Sequence, residues 1–233
     1  MDKIAIISDV HGNISALNAV LNDIKNRNIN KIICLGDSIL KCTHPDLVID
    51  KLKEVCDVIL LGNCDYAICR PEIKERKFWT RTILGEERAK FIINLPKSHE
   101  FYMSGHLIRL FHASPYSLDE IYNPMFSNKD NKKGNIEITN PDRLFENTEF
   151  LGKTSIPVEM RNFDENDTSN KFSTLASYII LEGFYGSRNL DSISFQLVRV
   201  NYDIKKEITD LKNSNMPGKE SIIKSLLTAI PNP

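Results

Sequence analysis

Residues Lys3–Asn13 read KIAIISDVHGN and residues Lys31–Asp37 read KIICLGD. In each stretch an almost unbroken apolar run ends in a polar cluster, and the intervening Ile14–Lys25 places its apolar residues at helical spacing. Strand, helix and strand in this order predict a parallel pair. A strand with one wet face would alternate apolar and polar residues, so the continuous runs also predict burial on both faces. Working outward, Asp46–Lys53 reads as a second helix and Asp57–Leu61 as a third strand. The chain therefore begins as an α/β fold.

Downstream, Lys74–Leu95 is a long amphipathic stretch that puts Trp79, Ile83, Ala89 and Ile93 near one face and stops at Pro96. Glu100–Met103 and Leu107–Phe111, joined through Ser104-Gly105, predict a hairpin, which changes the strand pairing from parallel to antiparallel. Tyr122–Asn147 and Arg161–Lys171 are polar and read as loops. Glu149–Leu151, Ser177–Glu182 and Ser192–Val200 are predicted strands, and Ile204–Leu211 and Lys219–Leu227 are predicted closing helices. No internal repeat or linker divides the 233 residues, so residues 1–233 read as a single domain.

Composition narrows the class. Hydrophobic residues at 41% and charged residues at 26% are ordinary for a soluble globular chain, and no stretch reaches the apolar length of a membrane span. The amino terminus enters strand-like sequence without the basic and apolar regions of a signal peptide, so a cytoplasmic location is expected. Cys34, Cys42, Cys56, Cys64 and Cys69 are odd in number and form no Cys-x-x-Cys pair, which reads as reduced thiols. A net charge of -1 offers no general attraction to polyanions; small phosphorylated substrates fit better than nucleic acid, and no membrane partner is expected. A homo-oligomer is compatible with everything in the sequence.

Polar clusters fall just past the predicted strand ends, where open α/β sheets place their ligands. Asp9 and His11 are two residues apart, a spacing that on an extended strand end lets a carboxylate and an imidazole face one metal. Taken alone, the same residues read equally well as a helix cap with an incidental histidine. Gly36-Asp37 follows the second strand and Gly62-Asn63-Cys64-Asp65 the third, and either alone is an ordinary turn. His112 ends the apolar run Leu107–Phe111, where a lone buried histidine is usually structural. Their order and common location give the series its weight.

This series resembles the calcineurin-like metallophosphoesterases, particularly the small bacterial phosphodiesterase branch. Their pattern runs Asp-x-His, Gly-Asp, Gly-Asn-(His or Cys)-(Asp or Glu), a later His, and a final Gly-His-x-His. The resemblance spans nearly the whole chain and implies a four-layer α/β/β/α sandwich of two mixed sheets flanked by helices. It implies two divalent metals: Asp9 and His11 on the first, Asp37 bridging both, and Asn63 and His112 on the second. Two nearby cations need a shared anionic bridge and together lower the pKa of bridging water toward neutrality, so the implied reaction is hydrolysis of small phosphodiesters or phosphomonoesters by metal-activated hydroxide. Manganese is the first expectation, with iron, zinc or magnesium as alternatives. Cys64 and Asp65 fill the catalytic part of the third motif. Cys64 stands where many relatives have a proton-donating histidine, and its thiol is the weaker donor; a packed small side chain is the competing reading.

The pattern breaks at its end. The segment matching the last motif is Gly152-Lys153-Thr154-Ser155, so Lys153 and Ser155 stand where relatives carry histidines, and no histidine follows residue 112. Three outcomes remain open from sequence. Water and substrate oxygens complete the shells; or the Lys153 ammonium takes the second metal's place, leaving that site empty; or Glu159, Asp164 or Asp167 folds back as an oxygen ligand. A surface lysine is the plainer reading of Lys153. A catalytically impaired relative that binds a phosphorylated ligand or a protein partner is therefore the competing expectation.

Overall fold

In the computed structural model, residues 1–68, 70, 75–114, 116–119, 136–138 and 174–228 are described. Strand β1 (Asp2–Ile7) is the organising element, because its side chains are buried on both sides. Ala5 and Ile7 point into one apolar cluster, and Ile4 and Ile6 into another, which is the period-two division a strand imposes. The first cluster receives Leu17, Val20 and Ile24 from α1 (Ile14–Asn26) and Val48 and Leu52 from α2 (Pro45–Val55). Asn13 starts α1 by accepting the Ala16 N–H at 2.9 Å, and Pro45 occupies the first turn of α2, where its missing N–H costs nothing.

Strand β1 pairs in parallel with β2 (Lys31–Cys34), which pairs in parallel with β3 (Val58–Ile59). On its other edge β1 meets β7 (Ala176–Gly183) antiparallel, and β7 meets β8 (Ser194–Val200) antiparallel. The five-stranded sheet thus runs β3-β2-β1-β7-β8 and is mixed. A second mixed sheet runs β4-β5-β6: β4 (Ser98–Met103) and β5 (His106–Phe111) form the expected hairpin, and β6 (Ile136–Ile138) joins β5 in parallel. Phe101, Met103, Ile108 and Leu110 from this sheet close over Ile4, Ile6, Ile33 and Leu35 of the first.

The protein is a mixed α/β fold with sheets flanked by helices. Among the described residues the layers run helix, sheet, sheet, so the fourth layer of the expected sandwich lies beyond what they show. Two expectations need correction. Residues 136–138 lie in a segment read as loop, yet they form β6; three residues are too few for a periodic signal, and their pairing comes from β5. The segment after β3, read as a turn, coils into α3 (Asn63–Ala67). Helix α4 (Glu75–Ile93) falls close to its expected bounds but breaks at Gly85, whose φ of 72° and ψ of 171° are not helical. Arg88, beyond the break, holds Asp50 of α2 through two hydrogen bonds of 2.8 and 2.6 Å. Helices α5 (Ile204–Asn213) and α6 (Lys219–Thr228) close the chain, with Leu211, Met216 and Ile222 packed on Cys42. The expected strand Glu149–Leu151 lies outside the described residues.

Candidate metal centre

The loops after β1, β2 and β3 are joined by their main chains before any side chain is considered. Asp9 N–H donates to Gly36 O at 3.0 Å, His11 N–H to Asp37 O at 2.9 Å and Gly12 N–H to Ser38 O at 2.8 Å. Gly36 (φ 106°) lies so close to Gly62 that a Cβ there would sit 2.5 Å from the Gly62 nitrogen. Asp9, His11 and Asp37 all hold left-handed φ angles between 51° and 54°. Such conformations cost non-glycine residues energy and concentrate at functional sites.

Asp65 ties these loops together. Fully buried, its carboxylate accepts Ser38 N–H at 2.9 Å, Ile39 N–H at 3.3 Å and Gly62 N–H at 3.1 Å. Burial and then the nearby Asp37 charge push its pKa up to about 7, despite those donors. Asp65 stands in the motif expected to be catalytic, and these bonds let it orient the loops that carry Asp37 and Asn63.

His11 Nδ1 lies 3.0 Å from Ile39 O, and His112 Nδ1 lies 3.1 Å from Leu35 O. A carbonyl only accepts, so both Nδ1 atoms donate, which fixes the tautomer and turns each Nε2 inward. His11 Nε2 faces Asp9 Oδ1 at 3.5 Å and Asp37 Oδ2 at 3.8 Å, while His112 Nε2 faces Asp37 Oδ1 at 3.4 Å and Asn63 Oδ1 at 2.9 Å. In the neutral imidazoles these are lone pairs aimed at oxygens. Where the facing oxygen belongs to a carboxylate, a metal ion held between nitrogen and oxygen makes that arrangement favourable. Burial and the Lys41 charge push the His11 imidazole down; Asp9 and Asp37 outweigh them and leave it above its ordinary value. Burial likewise pushes Asp9 up, but its hydrogen bond to His11 and the neighbouring imidazole charges hold the carboxyl at about 2.

The donors gather into two groups that share Asp37. Asp9, Asp37 and His112 offer ligand atoms within 4.8 Å of one another, and so do His11, Asp37 and Cys64. The two oxygens of Asp37 point to different neighbours, since Oδ1 accepts the Cys64 N–H at 2.8 Å and Oδ2 faces His11. Oxygen and imidazole donors of this kind fit a divalent cation, and a carboxylate common to both groups fits a pair. Asn63 meets His112, and its Nδ2 lies 3.9 Å from the Cys64 sulfur. Burial, followed by the adjacent Asp37 charge, pushes the Cys64 thiol far above its ordinary value. Lys153, Ser155, Glu159, Asp164 and Asp167 lie outside the described residues.

Lys41 is a residue that the sequence reading missed. Leu40 and Lys41 both have φ of 66°, and Cys42 N–H donates to Leu40 O at 2.9 Å and to His11 O at 2.8 Å. The first bond closes a three-residue γ-turn about Lys41, a strained geometry for a residue with positive φ. The second ties that turn to the loop bearing His11. Lys41 is exposed, and its charge lowers the pKa of both His11 and Cys64. Nothing in the local sequence marks Lys41, since its position depends on a turn that no glycine announces.

A sequence model of the calcineurin-like phosphoesterase superfamily domain matches residues 2–136. The uncharacterized protein MJ0912 of Methanocaldococcus jannaschii is 30% identical over 237 residues, covering 92% of this chain and 93% of that one. Among solved structures, a metallophosphoesterase from Sphaerobacter thermophilus superposes with a TM-score of 0.67 at 19% identity, over 98% of this chain and 99% of its own. The hypothetical protein PH1004 from Pyrococcus horikoshii OT3 gives 0.69 at 16% identity, with all of both chains covered. The sequence match over more than half its length, on a fold shared with these structures, makes this chain a member of the calcineurin-like phosphoesterase superfamily.

Proposed function

We propose that this protein is a divalent-metal-dependent phosphoesterase that hydrolyses small phosphodiesters or phosphomonoesters. The observation that carries the reading is the inward Nε2 of both His11 and His112, each facing oxygens of Asp37 while Nδ1 is committed to a backbone carbonyl. Superfamily membership supports metal-dependent phosphoester chemistry in general. Asp9, His11, Asp37, Asn63 and His112 are the residues we assign to holding the ions. Bound there, divalent ions supply Lewis acidity toward phosphoryl oxygens and make water acidic enough to act near neutral pH.

The chain's own groups divide the remaining work. Asp37 belongs to both donor groups, and Asp65 orients it by fixing the adjoining main chain. Lys41 offsets the charge of an incoming phosphate from the side of His11 and Cys64. Cys64 keeps its proton across the neutral range and is the candidate donor to the leaving oxygen, so esters with good leaving groups suffer least from its weakness. Manganese is the metal we favour, because oxygen donors accompany only two imidazoles.

The test is hydrolysis of a generic aryl phosphodiester with added manganese, comparing the native chain with Asp37→Asn. We expect the variant to lose at least about two orders of magnitude, as removal of one strong electrostatic contact does in other sites. Equal turnover by the two proteins overturns the reading. The sequence at Lys153 and Ser155 favours a second reading, an impaired relative that binds a phosphorylated ligand or protein partner. Metal analysis of protein purified without chelator separates them, because a full pair of tightly held ions counts against impairment.

A further inference from the structure

A recess lies next to the segments that carry Asn63 and His112 and has no role in the chemistry above. It is a cleft of about 280 Å³ whose walls include Tyr66, Arg70, Lys97, Ser114, Tyr116 and Asp119. Two of these stand next to assigned ligands. Tyr66 follows Asn63 by one turn of α3, and residues three apart lie on the same side of a helix. Ser114 is two residues past His112. The cleft therefore shares its walls with both segments that carry the Asn63–His112 contact.

Its surfaces are flat. The Arg70 guanidinium stands 5.3 Å from the centre of the Tyr66 ring, and its other partner is Asp119 at 3.6 Å. Ser114 Oγ accepts Tyr116 N–H at 3.1 Å and Ser117 N–H at 2.9 Å, which fixes the turn presenting Tyr116. Tyr116 is 70% exposed and Tyr66 39% exposed, so both residues reach the surface. Arg70 and Lys97 against Asp119 leave one net positive charge. A cleft with phenol and guanidinium faces rewards a planar ring far more than an aliphatic group, because ring faces stack and guanidinium planes stack on them. Its volume falls just below the range of drug-sized sites, which suits one ring system and excludes an extended polymer.

We propose that this cleft is a specificity site for the aromatic ring of the ester's organic group, either an aryl ring or a nucleobase, with Tyr66, Arg70 and Tyr116 as its recognition residues. The inference rests on the phosphoesterase reading for the identity of the phosphate beside it. The cleft itself discriminates at the organic group.

The test is equilibrium binding, which needs no turnover. Titrate the full chain, with manganese present, with methylphosphonate, phenylphosphonate and a nucleoside 5′-phosphonate, whose P–C bonds resist hydrolysis. We expect at least one ring-bearing probe to bind about tenfold more tightly than methylphosphonate, and the stronger of the two identifies the ring. In Tyr116→Ala and Tyr66→Leu that preference should fall below about twofold while methylphosphonate affinity stays unchanged. Tyr116 is exposed enough for its truncation to leave the fold intact, and the native preference is itself a readout. Equal binding of all three probes by the native chain overturns the proposal, as does a preference that survives both substitutions. A protein that prefers the ring yet hydrolyses no ester keeps the cleft and sinks the phosphoesterase reading; active protein with no ring preference does the reverse.

Discussion

His11 and His112 sit on different loops yet are oriented alike, each pinned through Nδ1 to the carbonyl of a residue near the end of β2. This pinning turns both Nε2 atoms toward the carboxylates, and the turn bonded to the His11 loop makes Lys41 the natural neighbour to probe. Lys41→Ala should raise KM for a small phosphoester about tenfold with a smaller change in kcat, and Lys41→Arg should restore most of the loss, as expected for binding charge in place of proton transfer. Steady-state kinetics at fixed ionic strength checks this, and an unchanged KM would refute it. The candidate ligands Asp9, His11, Asp37, Asn63 and His112 were legible in the sequence because each lies at or just past a strand end, so a local apolar run announces its location. Lys41 was not, because what places it is a left-handed φ and a hydrogen bond to His11 O. Asp65 was legible as part of a motif but not as an orienting group, since its partners are main-chain N–H groups on another loop.

Helix α5 is held against α1 and the loop preceding α2. His44 Nε2 lies 3.1 Å from Asp210 Oδ2, and Lys206 reaches the same oxygen at 2.6 Å. Glu207, one turn before Leu211, is fully buried, close to the polar side chains of Ser15 and Cys42. Burial pushes its pKa up. The folded chain therefore keeps a proton that the unfolded chain releases, and stability falls as pH rises from the ordinary glutamate range toward the raised folded value. Glu207→Gln should flatten that decline and raise the thermal midpoint at pH 8; melting curves from pH 5 to 8 for both proteins measure it, and parallel curves would sink the assignment. The long elements were readable from periodicity. The misses were short: α3 looks like a turn because Gly62-Asn63 begins it, and β6 gains its pairing from a partner more than twenty residues away in sequence.

At the scale of the molecule, the parallel half of the five-stranded sheet supplies the loops, and the second sheet supplies His112 from the end of β5. The candidate cation site thus sits where both sheets end, and loading it would link them. At metal concentrations about a hundredfold above Kd, binding adds about 2.7 kcal/mol of stability. For a chain of this length that corresponds to a melting shift of roughly 5–10 °C. Chelator treatment should lower the midpoint of manganese-loaded protein by that amount and leave Asp37→Asn nearly unmoved; an equal shift in both would show that the ion binds elsewhere. No described helix is long and apolar enough to cross a membrane. The contact between Gly36 and Gly62 is made by main chain alone. The close approach of these two loops therefore needs no side chain of its own. A bulkier residue at either glycine would part the loops and spread the donors with every ligand still in the sequence.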